Sequence, residues 1–287
     1  MSISHDYGVV QMKIGVSLPV REMQDDLGAI KAFAQAAEDL GLTHLRVPEQ
    51  IIRPGNGHLH EAMTILAYIS AVTSKVELVP SVIIAPLRQT ALLAKQAAQL
   101  DILTDGRTRL GVGVGNSREE YTAMGVDFGT RGRCCDEQMI VLKKLWMEET
   151  VTFSGEFHIL EELGINPLPV QRPIPIWIGS GSRPPKSIIH RIGQHADGWF
   201  VMSDPEEYQL VLTEINESAE RAGRDPSEIG AEAGVAVVGP RETEWQSRIK
   251  NWHDAGLTHL CLRTLGGNLK VDEHIDVLKR VMGELPV

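Results

Sequence analysis

Cysteine is scarce in this sequence. Only three cysteines occur among 287 residues, and two of them, Cys134 and Cys135, are adjacent. This number and spacing exclude a disulfide framework and match no metal-ligand motif. We therefore expect the protein to work in a reducing compartment, the cytoplasm.

Long apolar runs and an excess of positive charge are also lacking. No stretch approaches the roughly 18 uncharged apolar residues that a membrane-spanning helix needs. The N-terminal segment lacks the basic and apolar regions of a secretory signal, so we interpret residues 1–11 as an extension and 12–287 as the folded domain. Lys and Arg number 28 against 38 Asp and Glu, a net charge of −10, which predicts no general attraction to nucleic acids or membranes. Any phosphate must be held by a local site.

The sequence does have a regular alternation of short apolar runs and longer amphipathic stretches, repeated eight times. Eight strands that are apolar enough to be covered on both faces, each followed by a helix, are typical of a closed barrel. We therefore predict an α/β fold with a single (β/α)8 TIM barrel rather than two domains. The predicted strands are residues 13–18, 43–48, 76–84, 108–114, 174–178, 197–202, 229–238 and 257–263. The predicted helices cover 25–40, 61–73, 90–103, 184–194, 204–222, 241–255 and 272–284, with further helical material between the fourth strand and Trp146.

Two features interrupt or echo this alternation. Residues 150–159 predict a small hairpin that turns at Ser154-Gly155, and residues 166–175 predict a proline-rich loop, so the chain has an insertion between strands 4 and 5. The sequence Gly-Leu-Thr-His-Leu occurs at 41–45 and again at 256–260. This echo fits a repeated helix-to-strand junction, although five residues can also coincide by chance.

In a TIM barrel the active site forms where the strands end, so the residues after each predicted strand are the candidates. Gly179, Ser180, Gly181 and Ser182 follow the fifth strand and precede a helix that Pro184-Pro185 is expected to begin. Small residues at a helix N-terminus can hold a phosphate through backbone N–H groups. An ordinary glycine-rich turn is the equal alternative.

The third and fourth strands carry weaker signals. The glycines at 111, 113 and 115 do not fit the dinucleotide-binding fingerprint. They either leave room for a flat ligand or a bulky neighbour, or serve tight strand packing. Pro80 interrupts an apolar strand and predicts a bulge or a missing ladder bond.

No metal site or covalent hydrolase site is predicted. His58 and His60 lie two residues apart without further ligand spacing, so we interpret them as solvated loop residues. A G-x-S-x-G nucleophile motif is missing, and neither adjacent cysteine has a catalytic context.

Several longer motifs resemble the bacterial luciferase-like (β/α)8 superfamily, and in particular its branch that uses the deazaflavin coenzyme F420. The resemblance covers nearly the whole chain from Met12. The segments that carry it are Ala85-Pro-Leu-Arg-Gln-Thr, Ala94-Lys-Gln-Ala-Ala-Gln-Leu-Asp101, Asp105-Gly-Arg107, Leu110-Gly-Val-Gly-Val-Gly115, Glu120-Tyr, Gly125-Val-Asp-Phe128, Arg131-Gly-Arg133, Asp136-Glu137, Leu145-Trp146, Pro175-Ile-Trp-Ile-Gly-Ser-Gly-Ser182 and Ala196-Asp-Gly-Trp199.

The resemblance implies a flavin or deazaflavin in the barrel mouth. In similar proteins a bulge with a non-prolyl cis peptide at the end of the third strand supports the cofactor ring, and by position this bond is Ser81-Val82, next to Pro80. The implied cofactor-binding residues are Ser81, Val82 and Ile83 under the ring, Gly115 and Asn116 beside the ring or tail, and Gly179, Ser180, Gly181 and Ser182 around the phosphate.

The sequence departs from the resemblance at the catalytic positions. Related sugar-phosphate dehydrogenases carry an Asp-His pair after the second strand, where this chain has Glu49-Gln50, and a Glu after the glycine run, where it has Asn116. The resemblance makes these three residues the candidate catalytic set. Glu49 either contacts the cofactor or is a solvated loop carboxylate, and Gln50 can orient a substrate without taking a proton.

The expected function is hydride transfer between coenzyme F420 and an unknown small organic substrate. The alternative within the superfamily is an FMN-dependent monooxygenase that uses molecular oxygen. The alternative from another class is a non-catalytic barrel that binds a flavin, because the imidazole and second carboxylate are missing. The resemblance also implies a homodimer.

Overall fold

The computed structural model describes residues 12–52, 55 and 57–285. The predicted extension at residues 1–11 lies outside this range. Parallel strands form one nearly closed sheet, a TIM barrel, with helices around it. The strands are β1 (Lys13–Ser17), β2 (His44–Val47), β3 (Glu77–Pro80), β4 (Ile83–Ile84), β5 (Leu110–Gly113), β6 (Val151–Ser154), β7 (Ile159–Leu163), β8 (Ile176–Gly179), β9 (Gly198–Val201), β10 (Gly230–Ala236) and β11 (His259–Arg263).

The barrel wall has eight strand positions, which we call staves, although its sheet has nine strands. The sheet order is β3-β2-β1-β11-β10-β9-β8-β5-β4, and β3 and β4 are two parts of the single third strand that the sequence predicts at 76–84. β3 pairs with β2, β4 pairs with β5, and a bridge between Leu78 and Thr108 links the two ends of the sheet. At the bulge that Pro80 predicts, the third strand of the barrel therefore changes its pairing partner from β2 to β5.

The helices follow the predicted order, with small shifts at their ends. Asp26 and Asp204 cap α2 and α8 by accepting hydrogen bonds from Ala29 and Glu207 N–H. The helices are α1 (Val20–Met23), α2 (Leu27–Asp39), α3 (Ala62–Ser70), α4 (Thr90–Leu103), α5 (Arg118–Ala123), α6 (Arg131–Met147), α7 (Lys186–His195), α8 (Pro205–Arg221), α9 (Trp245–Asp254) and α10 (Glu273–Gly283). Among these described helices, none combines the length and apolar composition needed to cross a membrane.

The insertion between the fourth and fifth staves forms its own antiparallel pair, β6 and β7. The predicted turn at Ser154-Gly155 was placed too early, because Ser154 still belongs to β6 and the turn closes with Gly155 N–H donating to the His158 carbonyl at 2.9 Å. Glu137 on α6 fixes this turn by accepting hydrogen bonds from the N–H groups of Glu156 and Phe157. A contact from another element, which local turn propensity does not reveal, sets the position of the turn.

The repeated Gly-Leu-Thr-His-Leu sequence adopts the same local structure twice. Gly41 and Gly256 both have positive φ, 77° and 74°, after α2 and α9. In each copy the threonine hydroxyl lies 2.9 Å from the Nδ1 atom of the following histidine. The two strands that follow are the neighbours of β1 on either side, so the echo marks two equivalent junctions of the barrel.

Apolar side chains fill the space between sheet and helices, whereas the barrel interior contains a buried ion cluster. Glu232 of β10 is fully buried, and its carboxylate accepts hydrogen bonds from Arg46 at 2.8 Å and Arg109 at 2.9 Å, with His44 Nε2 at 3.4 Å. Burial alone would raise the pKa of Glu232, but His44, Arg46 and Arg109 outweigh burial and hold it well below its ordinary value.

The same cluster extends to the opposite wall of the barrel. Arg109 also donates to Glu77 at 2.8 Å, and its guanidinium lies 4.1 Å from the centre of the Trp177 ring. Arg46 stacks in the same way on Phe200, at 4.6 Å. Each interior arginine is thus held by a carboxylate and an aromatic face.

Candidate active site

The bulge between β3 and β4 lies at the mouth of the barrel, and its Ser81-Val82 peptide bond is cis, as the resemblance implies. The N–H of Ser81 donates to the Val47 carbonyl at 2.8 Å, which continues the ladder with β2. The hydroxyl of Ser81 accepts a hydrogen bond from Arg46 Nε at 2.9 Å. The bulge is therefore tied directly to the interior ion cluster.

The glycine run of β5 makes room for this bulge. A Cβ at Gly113 would lie 2.9 Å from Val82 Cγ2, and one at Gly111 would lie 2.3 Å from the Pro80 carbonyl oxygen. On the next strand, β8, a Cβ at Gly179 would lie 2.7 Å from Val82 Cγ1. Of the alternatives that the sequence leaves open, the structure shows the bulky neighbour: side chains are absent from β5 and β8 where Val82 packs.

The loop after β8 remains open. A Cβ at Gly181 would have nothing within 4 Å, and Gly181 and Ser182 are exposed. Their N–H groups have no hydrogen-bond acceptor within the described residues. The expected helix start at Pro184 was wrong: α7 begins at Lys186, because Pro185 is extended (φ −67°, ψ 159°) and acts as the N-cap. Backbone N–H groups rather than a directly adjoining helix are what this loop offers to an anion.

Glu49 is a buried carboxylate, so the interpretation as a solvated loop residue was wrong. Only 1% of its side chain is exposed, and its Oε2 atom accepts a hydrogen bond from Arg88 at 2.6 Å, while Arg88 also binds Glu61 at 2.7 Å. Oε1 is buried and has no hydrogen-bond partner in the described part of the chain. Burial raises the pKa of Glu49, and the attraction of Arg88 offsets the rise only in part.

Gln50 is anchored by a residue whose role sequence reasoning missed. Its amide Nε2 donates to both carboxylate oxygens of Glu120 at 2.9 Å, and the N–H groups of Ile51 and Ile52 donate to Glu120 Oε1. Glu120 is buried in α5. It joins the segment after β2 to the segment after β5, and the only signal for it was its place within the family motifs. Asn116, the third candidate catalytic residue, is exposed.

The predicted site residues fall into two groups. The structure brings the bulge residues Ser81 and Val82 together with the ends of β5 and β8. Glu49 and Gln50 instead line a cavity of about 480 Å³ with Leu87, Arg88 and Met124, which none of the predicted cofactor-binding residues lines. The two groups are linked through the β2 segment, because Arg46 holds the bulge and Glu49 follows three residues later.

His58 and His60 are not merely solvated. His58 Nε2 lies 3.2 Å from Asp25 Oδ1, and His60 Nε2 lies 2.8 Å from the Gln24 carbonyl oxygen. The potential ligand atoms of Asp25, His58 and His60 all lie within 4.8 Å of one another. The sequence could not show this because Asp25 precedes the two histidines by more than 30 residues.

The chain is similar to several known proteins. The sequence profile of the family described as luciferase-like monooxygenase matches residues 12–263. An uncharacterised protein of Mycobacterium tuberculosis is 32% identical over 217 residues, 69% of this chain and 74% of that protein. The F420-dependent glucose-6-phosphate dehydrogenase of Kineococcus radiotolerans is 34% identical over 211 residues, 70% of this chain and 61% of that protein. The F420-dependent hydroxymycolic acid dehydrogenase of M. tuberculosis is 29% identical over 234 residues, 79% of this chain and 63% of that protein.

Two solved structures share the fold. The monooxygenase RslO1 from Streptomyces bottropensis superposes with a TM-score of 0.83 at 20% identity, covering 96% of this chain and 98% of that one. An F420-dependent secondary alcohol dehydrogenase, solved with an F420-acetone adduct, gives a TM-score of 0.81 at 18% identity, covering 96% and 99%. At these identities the likeness establishes the architecture and not the reaction.

Proposed function

The chain belongs to the luciferase-like monooxygenase family, and on that premise we propose that it is an oxidoreductase that transfers a hydride between coenzyme F420 and a small organic substrate. The names of two relatives, both F420-dependent dehydrogenases, support the choice of cofactor. The observation that carries the proposal is the packing of Val82 against Gly113 and Gly179, which gathers the ends of three neighbouring strands around one backbone bulge.

The residues present fit such a cofactor. The bulge offers a backbone ledge, and the open loop after β8 offers unpaired N–H groups and a glycine with free space in front of it. When bound, the deazaflavin supplies the hydride chemistry, while the protein supplies position and electrostatics. In this proposal Ser81, Val82 and Ile83 support the ring, Gly115 and Asn116 flank it, and Gly179, Ser180, Gly181 and Ser182 hold the phosphate.

The direct test is a fluorescence titration of the purified protein with F420 and, separately, with FMN. We expect saturable binding of F420. Tight binding of FMN without binding of F420 would contradict the proposal and favour an oxygen-using monooxygenase. If F420 binds but no alcohol, aldehyde or ketone of a substrate panel is turned over, the non-catalytic barrel is favoured instead.

Gly181 gives a sharper test of the phosphate seat. Because nothing lies within 4 Å of its would-be Cβ, Gly181→Val meets no steric obstacle in the free protein. We expect it to weaken F420 binding tenfold or more, a loss of about 1.4 kcal/mol. Gly283→Val in α10 is the matched control, since Gly283 is equally unobstructed. Unchanged F420 affinity in Gly181→Val would remove the loop from the cofactor site.

We assign proton transfer to Glu49 and substrate orientation to Gln50. The raised pKa of Glu49 keeps its carboxyl protonated closer to neutral pH than that of an exposed glutamate. Glu49→Gln should therefore lower kcat about 100-fold and remove one limb of the pH-rate profile, with F420 affinity unchanged. A pH profile identical to that of the unmodified protein would leave Glu49 as a structural partner of Arg88 only.

The proposed enzyme is cytoplasmic and a homodimer. The free cysteines Cys134, Cys135 and Cys261 in the described chain support a reducing, cytoplasmic location. The homodimer is supported by the family resemblance alone, and light scattering of the purified protein tests it.

A further inference from the structure

A second cavity opens at the barrel mouth, on the side opposite to the bulge. Its volume is about 390 Å³, and its walls come from the ends of β9, β10 and β11 and from α9. None of the residues proposed to hold the cofactor lines it. Arg46 forms part of the floor, and since Arg46 also binds Ser81, the floor of this cavity is one side chain away from the bulge.

Four arginines line this cavity in a chain whose net charge is −10. Arg46 is balanced by Glu232, and Arg241 pairs with Glu244 at 2.5 Å. The other two, Arg248 and Arg263, make no ion pair with any described residue. Arg248 has only a long hydrogen bond, 3.5 Å, to the Ala236 carbonyl.

The two unbalanced guanidinium groups are held close to other cations. Burial lowers the pKa of Arg248, and the neighbouring Arg241 and Arg263 lower it further. Arg263 extends across β10 because Gly234 lacks a side chain: a Cβ there would lie 3.2 Å from Arg263 Nε. Like charges gathered at one cavity, whose lining has a single carboxylate, repel one another, and a bound anion would relieve that repulsion.

The cavity also contains a polar atom without a partner. The hydroxyl of Ser203 is buried and forms no hydrogen bond within the described residues. The one carboxylate of the lining, that of Asp204, accepts the Glu207 N–H as the cap of α8. Tetrahedral oxyanions bind to hydrogen-bond donors of this kind, a hydroxyl and unpaired guanidinium groups that line one cavity.

We propose that this cavity binds a phosphate-like oxyanion carried by the substrate. This inference rests on the proposed function, because it makes the substrate a phosphate monoester, or another compound with a tetrahedral oxyanion, whose reacting carbon faces the deazaflavin. Arg248 and Arg263 neutralise the anion, Ser203 donates a hydrogen bond, and Arg46 separates this anion seat from the bulge. The substrate anion and the cofactor phosphate then occupy different sites, the second being the loop after β8.

The test is calorimetric titration of the cofactor-free protein with inorganic phosphate. We expect saturable binding that is weakened tenfold or more in both Arg248→Met and Arg263→Met. Arg221→Met in α8 is the matched control, since this exposed arginine pairs with Glu217 on the helix surface, and it should bind phosphate as the unmodified protein does. Absence of phosphate binding, or binding that both cavity variants retain, would overturn the proposal.

F420 titration of the same variants separates this inference from the proposed function. Unchanged F420 affinity in Arg248→Met and Arg263→Met is expected. Loss of F420 binding in them, at the same concentrations, would assign the cavity to the cofactor and overturn the substrate site. If the unmodified protein binds phosphate but not F420, the anion site stands while the proposed function fails. Melting temperatures of all variants verify that each one is folded.

Discussion

Two groups of arginines lie at different depths of the same barrel, and they differ in what balances their charge. In the interior, Arg46 and Arg109 share Glu232, and Arg109 has a second carboxylate in Glu77. At the rim, Arg248 and Arg263 form no ion pair with any carboxylate among the described residues. Buried charges are normally paired, and the interior group follows this rule. The rim group is more accessible, with Arg263 exposed and Arg248 half-buried, so its guanidinium groups are available to the anion proposed above.

The comparison predicts a large loss of stability when the interior loses its carboxylate. Glu232→Gln leaves the guanidinium of Arg46 without a carboxylate and that of Arg109 with Glu77 alone, so the free energy of unfolding should fall by about 3–5 kcal/mol. Urea unfolding measures this change. Asp254→Asn, which breaks an exposed pair with Lys250, should cost less than about 1 kcal/mol. Equal losses in the two variants would mean that the interior cluster contributes no more than a surface pair.

The bulge, which Arg46 of the interior group holds, should not tolerate added side chains. Gly179→Ala places a Cβ 2.7 Å from Val82 Cγ1, and overpacking of this kind costs about 1–3 kcal/mol of unfolding free energy. Gly181→Ala, two residues later, meets no atom within 4 Å and should leave stability unchanged. Adding Val82→Ala to Gly179→Ala should recover part of the loss. Without such recovery, the Val82 contact is not the cause.

The interior cations also predict how stability depends on pH. Burial, together with Arg109 and His44, lowers the pKa of His259 to about 3, whereas an unfolded histidine titrates near 6.5. Between pH 3 and pH 6.5 the unfolded chain binds a proton at His259 that the folded chain does not bind. The free energy of unfolding therefore falls as pH falls through this range. Between pH 6.5 and pH 5 this contribution should reach about 1.6 kcal/mol.

His259→Asn isolates that contribution, because it removes the titrating ring and keeps a polar group beside Thr258. Urea unfolding at pH 7.5 and pH 5 should show a smaller difference for this variant than for the unmodified protein. Equal differences would assign the acid sensitivity to other groups.

The smallest effect is expected at the rim. Arg263 is exposed and has no ion pair in the described chain, so Arg263→Met should change the free energy of unfolding by no more than about 0.5 kcal/mol. The corresponding interior change, Arg109→Met, should cost about 3–5 kcal/mol, because Glu232 and Glu77 both lose a partner. If Arg263→Met lowered the free energy of unfolding as much as Arg109→Met, the two groups of arginines would not differ in their contribution to stability.

The fold could be predicted from the sequence because each stave is a local pattern. Eight apolar runs with helices between them suffice for a barrel, and the inserted hairpin follows from its own residues except for the position of its turn, which Glu137 sets. The split of the third strand was only partly visible: Pro80 indicates an interruption, but the change of pairing partner from β2 to β5 depends on neighbours far away in the chain.

The site was predicted less well, because its decisive contacts are not local. The resemblance indicated the bulge and the loop after β8, while the glycines of β5 were ambiguous until Val82 was seen beside them. The interior ion cluster left a trace in the sequence, charged residues inside otherwise apolar strands, but no spacing shows that Arg46 and Glu232, 186 residues apart, are partners. The rim arginines follow no motif.

The hydrogen bonds of Arg46 have a consequence for how such a chain can diversify. Its guanidinium binds both the Glu232 carboxylate of the interior and the Ser81 hydroxyl of the bulge, so a replacement there would disturb the interior cluster and the bulge together. Arg241, Arg248 and Arg263 come from separate segments that can each change on their own. Exchanging the rim residues one at a time would therefore change the charge and shape of the cavity while its floor and the bulge stay in place.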